Sequence, residues 1–219
     1  MNRSRKILYV IGSLDIGGAE RHLVQVATGL KLAGYAPEFF VLNLGGPLTA
    51  QLDAAGIPIH GFHPWGWLRK VLRHPRAFAW TVLGLSALKM FSVLWRRRPD
   101  VLHFFLPAAY VVGGVVSMFC PVPARIMSRR SLNHYQAKHR LFARVERFLH
   151  HRMTLICGNS LAITRQLEEE GVPPDRLRLI YNGVSCAVPD PAAPPAVRKP
   201  GLLFVMVANL IPYKGHADL

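Results

Sequence analysis

Acidic side chains are scarce in this chain. Only 12 Asp and Glu stand against 27 Lys and Arg in 219 residues, a formal charge of +15. A surface so poor in carboxylates favours anionic partners: nucleic acid, acidic lipid headgroups or phosphorylated small molecules. The basic residues are dispersed and match no nucleic-acid module, so nucleic acid is not an expected partner. Cysteine is scarce too. Cys120, Cys157 and Cys186 lack C-x-x-C spacing, which excludes a disulfide framework and reads as reduced, buried thiols in a cytoplasmic protein. The histidines form no H-E-x-x-H and no Cys/His cluster has zinc spacing, so no metal is expected. There is no G-x-G-x-x-G, which argues against a nicotinamide-dependent oxidoreductase, and no Lys-Ser/Thr after a glycine loop.

Long apolar runs are missing as well. The uncharged stretch 77–88 has about twelve residues, short of the roughly twenty that span a bilayer. Arg3, Arg5 and Lys6 before an apolar run imitate the opening of a signal peptide. Asp15 interrupts that run and no cleavage pattern follows, so a first strand explains it better.

What is present is a core. Hydrophobic residues make up 51% of the chain and charged ones 18%, which excludes disorder. Short apolar runs at 6–12, 37–43, 57–62, 100–105, 123–128, 153–157 and 176–180 predict strands. Helix-length segments near 18–33, 47–55, 75–97, 107–119, 135–150 and 160–170 lie between them. This alternation predicts an α/β fold, a Rossmann-like parallel sheet with helices on both faces. Ligands of such sheets sit beyond the carboxyl ends of the strands. That singles out 12–20, 103–107, 128–134 and 158–160. Residues 187–201 are proline-dense and predict a linker. The run 202–207 then opens a new strand, which cannot form a domain alone. The expected organisation is a domain at 1–186, a linker at 187–201 and the start of a second domain at 202–219.

Three polar groupings could carry chemistry. Gly17 and Gly18 follow the first strand and open a helix, where unpaired N–H groups can receive an anion; a tight strand–helix turn is the alternative. Glu20 either stabilises that helix start or meets a sugar hydroxyl. Ser128-Arg129-Arg130-Ser131-Leu132-Asn133-His134 either grips a phosphate or carboxylate or forms a basic surface turn. Asn159 or Ser160 is expected to cap the next helix. The region 65–98 mixes Trp65, Trp67, Trp80 and Trp95 with many cations. It reads as a helix covering the sheet, an interfacial segment on acidic lipid, or a span.

Several motifs occur together and in order: Gly17-Gly18-Ala19-Glu20-Arg21-His22-Leu23, Arg98-Pro99-Asp100-Val101-Leu102-His103, Cys157-Gly158-Asn159-Ser160, Leu179-Ile180-Tyr181-Asn182-Gly183-Val184, and Val207-Ala208-Asn209-Leu210-Ile211-Pro212-Tyr213-Lys214-Gly215. Together the chain resembles GT-B glycosyltransferases of the family-4 type. The resemblance implies two facing Rossmann-like lobes, a nucleotide-sugar donor, a glycan or lipid-linked acceptor, retention of anomeric configuration and no cofactor or metal. It implies that this chain holds the acceptor-side lobe and the first piece of the donor lobe, inactive alone. A non-catalytic membrane-surface module derived from such an enzyme is the alternative.

On this resemblance Gly17, Gly18, Lys214 and Asn209 are the expected donor and phosphate contacts. Glu20, Arg129, Arg130 and Asn133 are the expected acceptor contacts. The family's usual histidine after the fifth strand is replaced by Ser128 or Arg129. The catalytic residue is thus unassigned, with His103 and His134 as candidates. The expected location is the cytoplasm, peripheral to the inner membrane face if 65–98 rests on anionic lipid.

Overall fold

The seven apolar runs between residues 6 and 180 that were expected to be strands all contain one. A computed structural model describes residues 4–64, 74–133, 136, 139–183, 206 and 215–218. The chain divides into two units, Met1–Gly183 and Val184–Leu219. The first holds β1 (Lys6–Ile11), α1 (Gly18–Leu32), β2 (Ala36–Val41), α2 (Thr49–Ala54), β3 (Ile59–Gly61), α3 (Pro75–Arg97) and β4 (Val101–Phe105). It continues with α4 (Pro107–Ser117), β5 (Ala124–Arg129), α5 (Arg140–His150), β6 (Leu155–Gly158), α6 (Leu161–Glu169) and β7 (Leu177–Leu179). In the second unit the described residues include a 3-10 turn, His216–Asp218. The linker at 187–201, the strand at 202–207, His134, Cys186, Asn209, Lys214 and residues 65–73 lie outside the described residues.

All seven strands pair in parallel, in the order β3-β2-β1-β4-β5-β6-β7. The order runs outward in both directions from the β1–β4 pair. Loops leaving the carboxyl ends of those two strands diverge and open a crevice. Successive strand residues point to opposite faces, so the sheet sorts its side chains into two sets. Leu8, Val10, Leu102, Phe104, Met127 and Ile156 pack beneath α3 to α6, against Met90, Leu94, Tyr110, Leu149 and Ile163. Tyr9, Ile11, Phe39, Val41 and Phe105 face α1 and α2, against Leu23, Ala27 and Leu52. The sheet is covered on both faces, as the alternation of elements predicts.

Arg98-Pro99-Asp100 has an architectural role. Arg98 ends α3 in the left-handed region, at φ 46°, and Pro99 cannot extend the helix. Asp100 then accepts the Lys6 backbone N–H at 2.7 Å and donates its own N–H to Lys6 O at 2.9 Å. This reciprocal pair fixes the start of β4 against the start of β1.

Candidate functional site

Strand alternation decides which side chains reach the crevice. On the α1 side of the sheet, Tyr9 from β1, His103 and Phe105 from β4, Ser128 from β5 and Cys157 from β6 stand in adjacent register. Arg130 and Asn159, each one residue past its strand, keep the same direction. With His22 and Val26 of α1 and Ile180 beyond β7, they enclose a cavity of about 210 Å³. Three of the four stretches singled out beyond strand ends contribute to its wall.

The floor of the cavity is uncharged. His103 Nε2 lies 2.8 Å from Ser128 Oγ. Burial first, and the Arg130 charge second, push the His103 pKa down to about 3, so its ring is neutral at physiological pH. Burial pushes the Tyr9 phenol up to about 12 and raises the Cys157 thiol, an effect that Ser128 and Arg178 partly offset. Cys120 and Cys157 are both free and buried.

The rim is different. Arg130 lies over the Phe105 ring, 5.6 Å from its centroid. Burial lowers its pKa, and the Glu20 carboxylate partly restores it. His22 Nε2 accepts the backbone N–H of Gly183 at 3.3 Å. In the neutral imidazole this places the proton on Nδ1. His22 Nδ1, one Arg130 terminal nitrogen (Nη2) and Asn159 Oδ1 are buried, with no hydrogen-bond partner among the described residues. Two donors and one acceptor, all on cavity-lining residues, thus stand unmatched. A buried donor left unpaired costs about 1–3 kcal/mol; phosphate oxygens would satisfy the two donors, and a sugar hydroxyl would donate to Asn159.

Arg129, one residue before Arg130, also borders the cavity, but its guanidinium points the other way. It lies on the Met127 face, beneath the helices, and pairs with Glu170 and with Glu146, the latter at 3.6 Å. His150 Nε2 lies 3.1 Å from Glu170, and its Nδ1 lies 3.0 Å from the Tyr110 hydroxyl. Asn133 donates its amide N–H groups to Glu170 and Gln136, and its backbone N–H to Gln166 at 2.9 Å. Burial pushes the Glu170 carboxyl up, but hydrogen bonds from His150, Arg129 and Asn133 outweigh it and hold the pKa at about 2. Arg129 and Asn133, expected to meet a ligand, therefore spend their polar groups on tying the loop after β5 to the end of α6.

Gly17 and Gly18 open α1 at the carboxyl end of β1, the same end of the sheet as Arg129 and Arg130, but they are not part of the cavity wall. A Cβ on Gly17 would collide with the Glu20 carboxylate. An internal anion already sits at the positive end of that helix. Gly46, at φ 104°, supports the loop from behind, where a Cβ would strike the Leu14 backbone. Ser160, not Asn159, caps α6, accepting the Ile163 N–H at 3.3 Å, and this leaves Asn159 available to the cavity. Leu106, just past β4, holds φ 70° and ψ 151° without being glycine, strain of the kind that clusters at functional sites.

His22 was not anticipated in the cavity wall, and Asn159 was expected there only as part of the stretch 158–160 and as a helix cap. The available signal was helical spacing: His22 lies four residues after Gly18, on the same face of α1. No group of three or more His, Cys, Asp or Glu among the described residues could hold a metal.

The sequence matches the family model described as Glycosyltransferase Family 4 over residues 16–188. No curated protein matches it. Among solved structures it is similar to Anabaena HepE in complex with UDP and glucose, at TM-score 0.60 and 21% identity, over 82% of this chain and 45% of that one. It is similar to the lipopolysaccharide outer core galactosyltransferase WaaB, at TM-score 0.61 and 14% identity, over 82% and 46%. A glycosyltransferase from Rickettsia africae aligns at TM-score 0.57 and 17% identity, over 84% and 44%. The chain thus spans a little under half the length of these structures.

Proposed function

The chain belongs to glycosyltransferase family 4, and from that premise we propose that its first unit is the acceptor-side lobe of a two-lobed, retaining sugar transferase. The proposed donor is a nucleotide sugar, and HepE, solved with UDP-glucose, supports that class. The proposed acceptor is a glycan or lipid-linked glycan, as the outer core galactosyltransferase WaaB suggests. No metal or other cofactor is proposed, and the location is the cytoplasm, which suits free thiols.

One observation carries this reading: around a single cavity, donors of Arg130 and His22 and an acceptor of Asn159 have no partner among the described residues. Glycosyl transfer builds negative charge on the leaving diphosphate and positive charge on an oxocarbenium-like sugar. A fixed guanidinium and an imidazole N–H would stabilise the oxygens, while Asn159 would accept from a sugar hydroxyl. Glu20 is proposed to orient Arg130. Arg129 and Asn133 are proposed to hold the loop that carries it. Gly17, Gly18, Lys214 and Asn209 stay as proposed donor-side contacts. His103, neutral at physiological pH, is proposed to shape the floor and not to act as base.

Ligand-detected NMR with the 219-residue chain and UDP-glucose, glucose 1-phosphate or glucose tests this. Both phosphorylated ligands should bind, glucose should bind far more weakly, and Arg130→Gln should weaken the first two by roughly tenfold, the loss of one charge-assisted contact. Equal binding by Arg130→Gln would remove the cavity from the reading. Release of UDP by this chain alone would end the claim that it is only half of a catalyst.

A further inference from the structure

The outer face of α3 is built the wrong way round for a helix in water. Its inner side buries Ser86, Met90, Val93 and Leu94, and Glu38 accepts hydrogen bonds from the Arg97 guanidinium near its end. A helix on the surface of a sheet normally turns polar residues outward. Here Trp80 is 72% exposed, Leu88 67%, Trp95 44% and Phe91 40%. With exposed Gly84 between them, their spacing of four, four, three and four residues keeps them on one stripe. The stripe is about 22 Å long at 1.5 Å per residue. Phe91 and Trp95 touch within it, their ring centroids 6.0 Å apart.

Charge decides what can cover such a stripe. Between Asp53 and Asp100 the sequence holds no acidic residue. Arg76, Lys89, Arg96 and Arg98 are exposed along α3. A second copy of a chain with formal charge +15 would set these cations against their own kind. A surface with apolar depth and an anionic skin fits both parts, and tryptophan suits its boundary. By length and composition α3 could cross a membrane, the one such helix among the described residues. Its packed inner side, held by Arg97 and Glu38, keeps it on the sheet instead.

We infer that α3 docks the domain on an anionic lipid surface, its axis parallel to the bilayer, with the stripe from Trp80 to Trp95 in the headgroup boundary and the flanking cations on the lipid phosphates. This does not rest on sugar transfer. The test is flotation of the 219-residue chain with phosphatidylcholine vesicles, with and without phosphatidylglycerol, at low and high salt. Binding should require phosphatidylglycerol and fall as salt rises. Trp80→Ser with Trp95→Ser should weaken it roughly tenfold, and so should Lys89→Glu with Arg96→Glu. All four residues are exposed, and unchanged circular dichroism and melting would confirm that both variants fold. Undiminished flotation by either variant would overturn the inference. So would concentration-dependent dimerisation, by light scattering, that both variants abolish without lipid, or an acidic protein displacing the wild-type chain from vesicles but not binding the variants' stripe.

Discussion

Arg129 and Arg130 are neighbours of the same chemistry with opposite surroundings. Arg129 lies under the helices, its charge matched by Glu146 and Glu170. Arg130 lies on the other face over an aromatic ring, with one terminal nitrogen buried and unmatched among the described residues. The difference comes from the two-residue period of β5 and nothing else. It teaches how to tell a strut from a binding group: the strut has all its partners inside the protein.

Removing one of the pair should therefore hurt the fold, and removing the other should not. Arg129→Ala leaves two buried carboxylates without their cation and should cost about 3–5 kcal/mol in urea unfolding. Arg130→Ala should leave stability unchanged or raise it by up to about 1–3 kcal/mol, because it removes a buried donor that lacks a partner among the described residues. Equal costs would break the comparison. Acid should sharpen it next. Folded Glu170 titrates at about 2 against 4.5 when unperturbed, so its stabilisation is complete above pH 4.5 and lost as pH falls toward 2. His103 titrates at about 3 against 6.5. The unfolded chain takes up that proton first, so stability already falls as pH drops below 6.5. In melting curves against pH, His103→Gln should flatten the slope between 6.5 and 4.5, and Glu170→Gln the slope below 4.5. A slope unchanged by both variants would place the acid sensitivity elsewhere. The smallest effect belongs to the glycine turn. Gly17→Ala should only push the flexible Glu20 carboxylate aside, a loss of about 0.3–1 kcal/mol. In Glu20→Ala the same change should cost nothing further by thermal melting.

The fold was legible because each strand is a near-continuous apolar run, as buried parallel strands must be. Runs such as Ile7 to Ile11 do not depend on knowing their neighbours. The site was legible only in place. Beyond-the-strand reasoning found the stretches with Arg130 and Asn159, but treated Arg129 and Arg130 as one cluster. Met127, apolar and two residues before Arg129, already marked which of the two turns inward. Which polar groups are spent was not readable, because Glu146 and Glu170 come from helices whose approach to β5 exists only in the folded chain. The helix at 75–97 was visible by length. Its outward stripe was not, since sequence alone does not say which side of an apolar helix meets the sheet.

The way the chain leaves β7 has a consequence of its own. Ile180 extends the β6 pairing through its bond to Gly158 O at 2.9 Å, Asn182 takes a hydrogen bond from Asn159 at 3.4 Å, and Gly183 holds His22. The departing backbone is thus stitched to the same residues that edge the hollow. A tug on this exit thread is felt first by Asn159 and His22, so the mouth and the doorway of the domain cannot be altered separately.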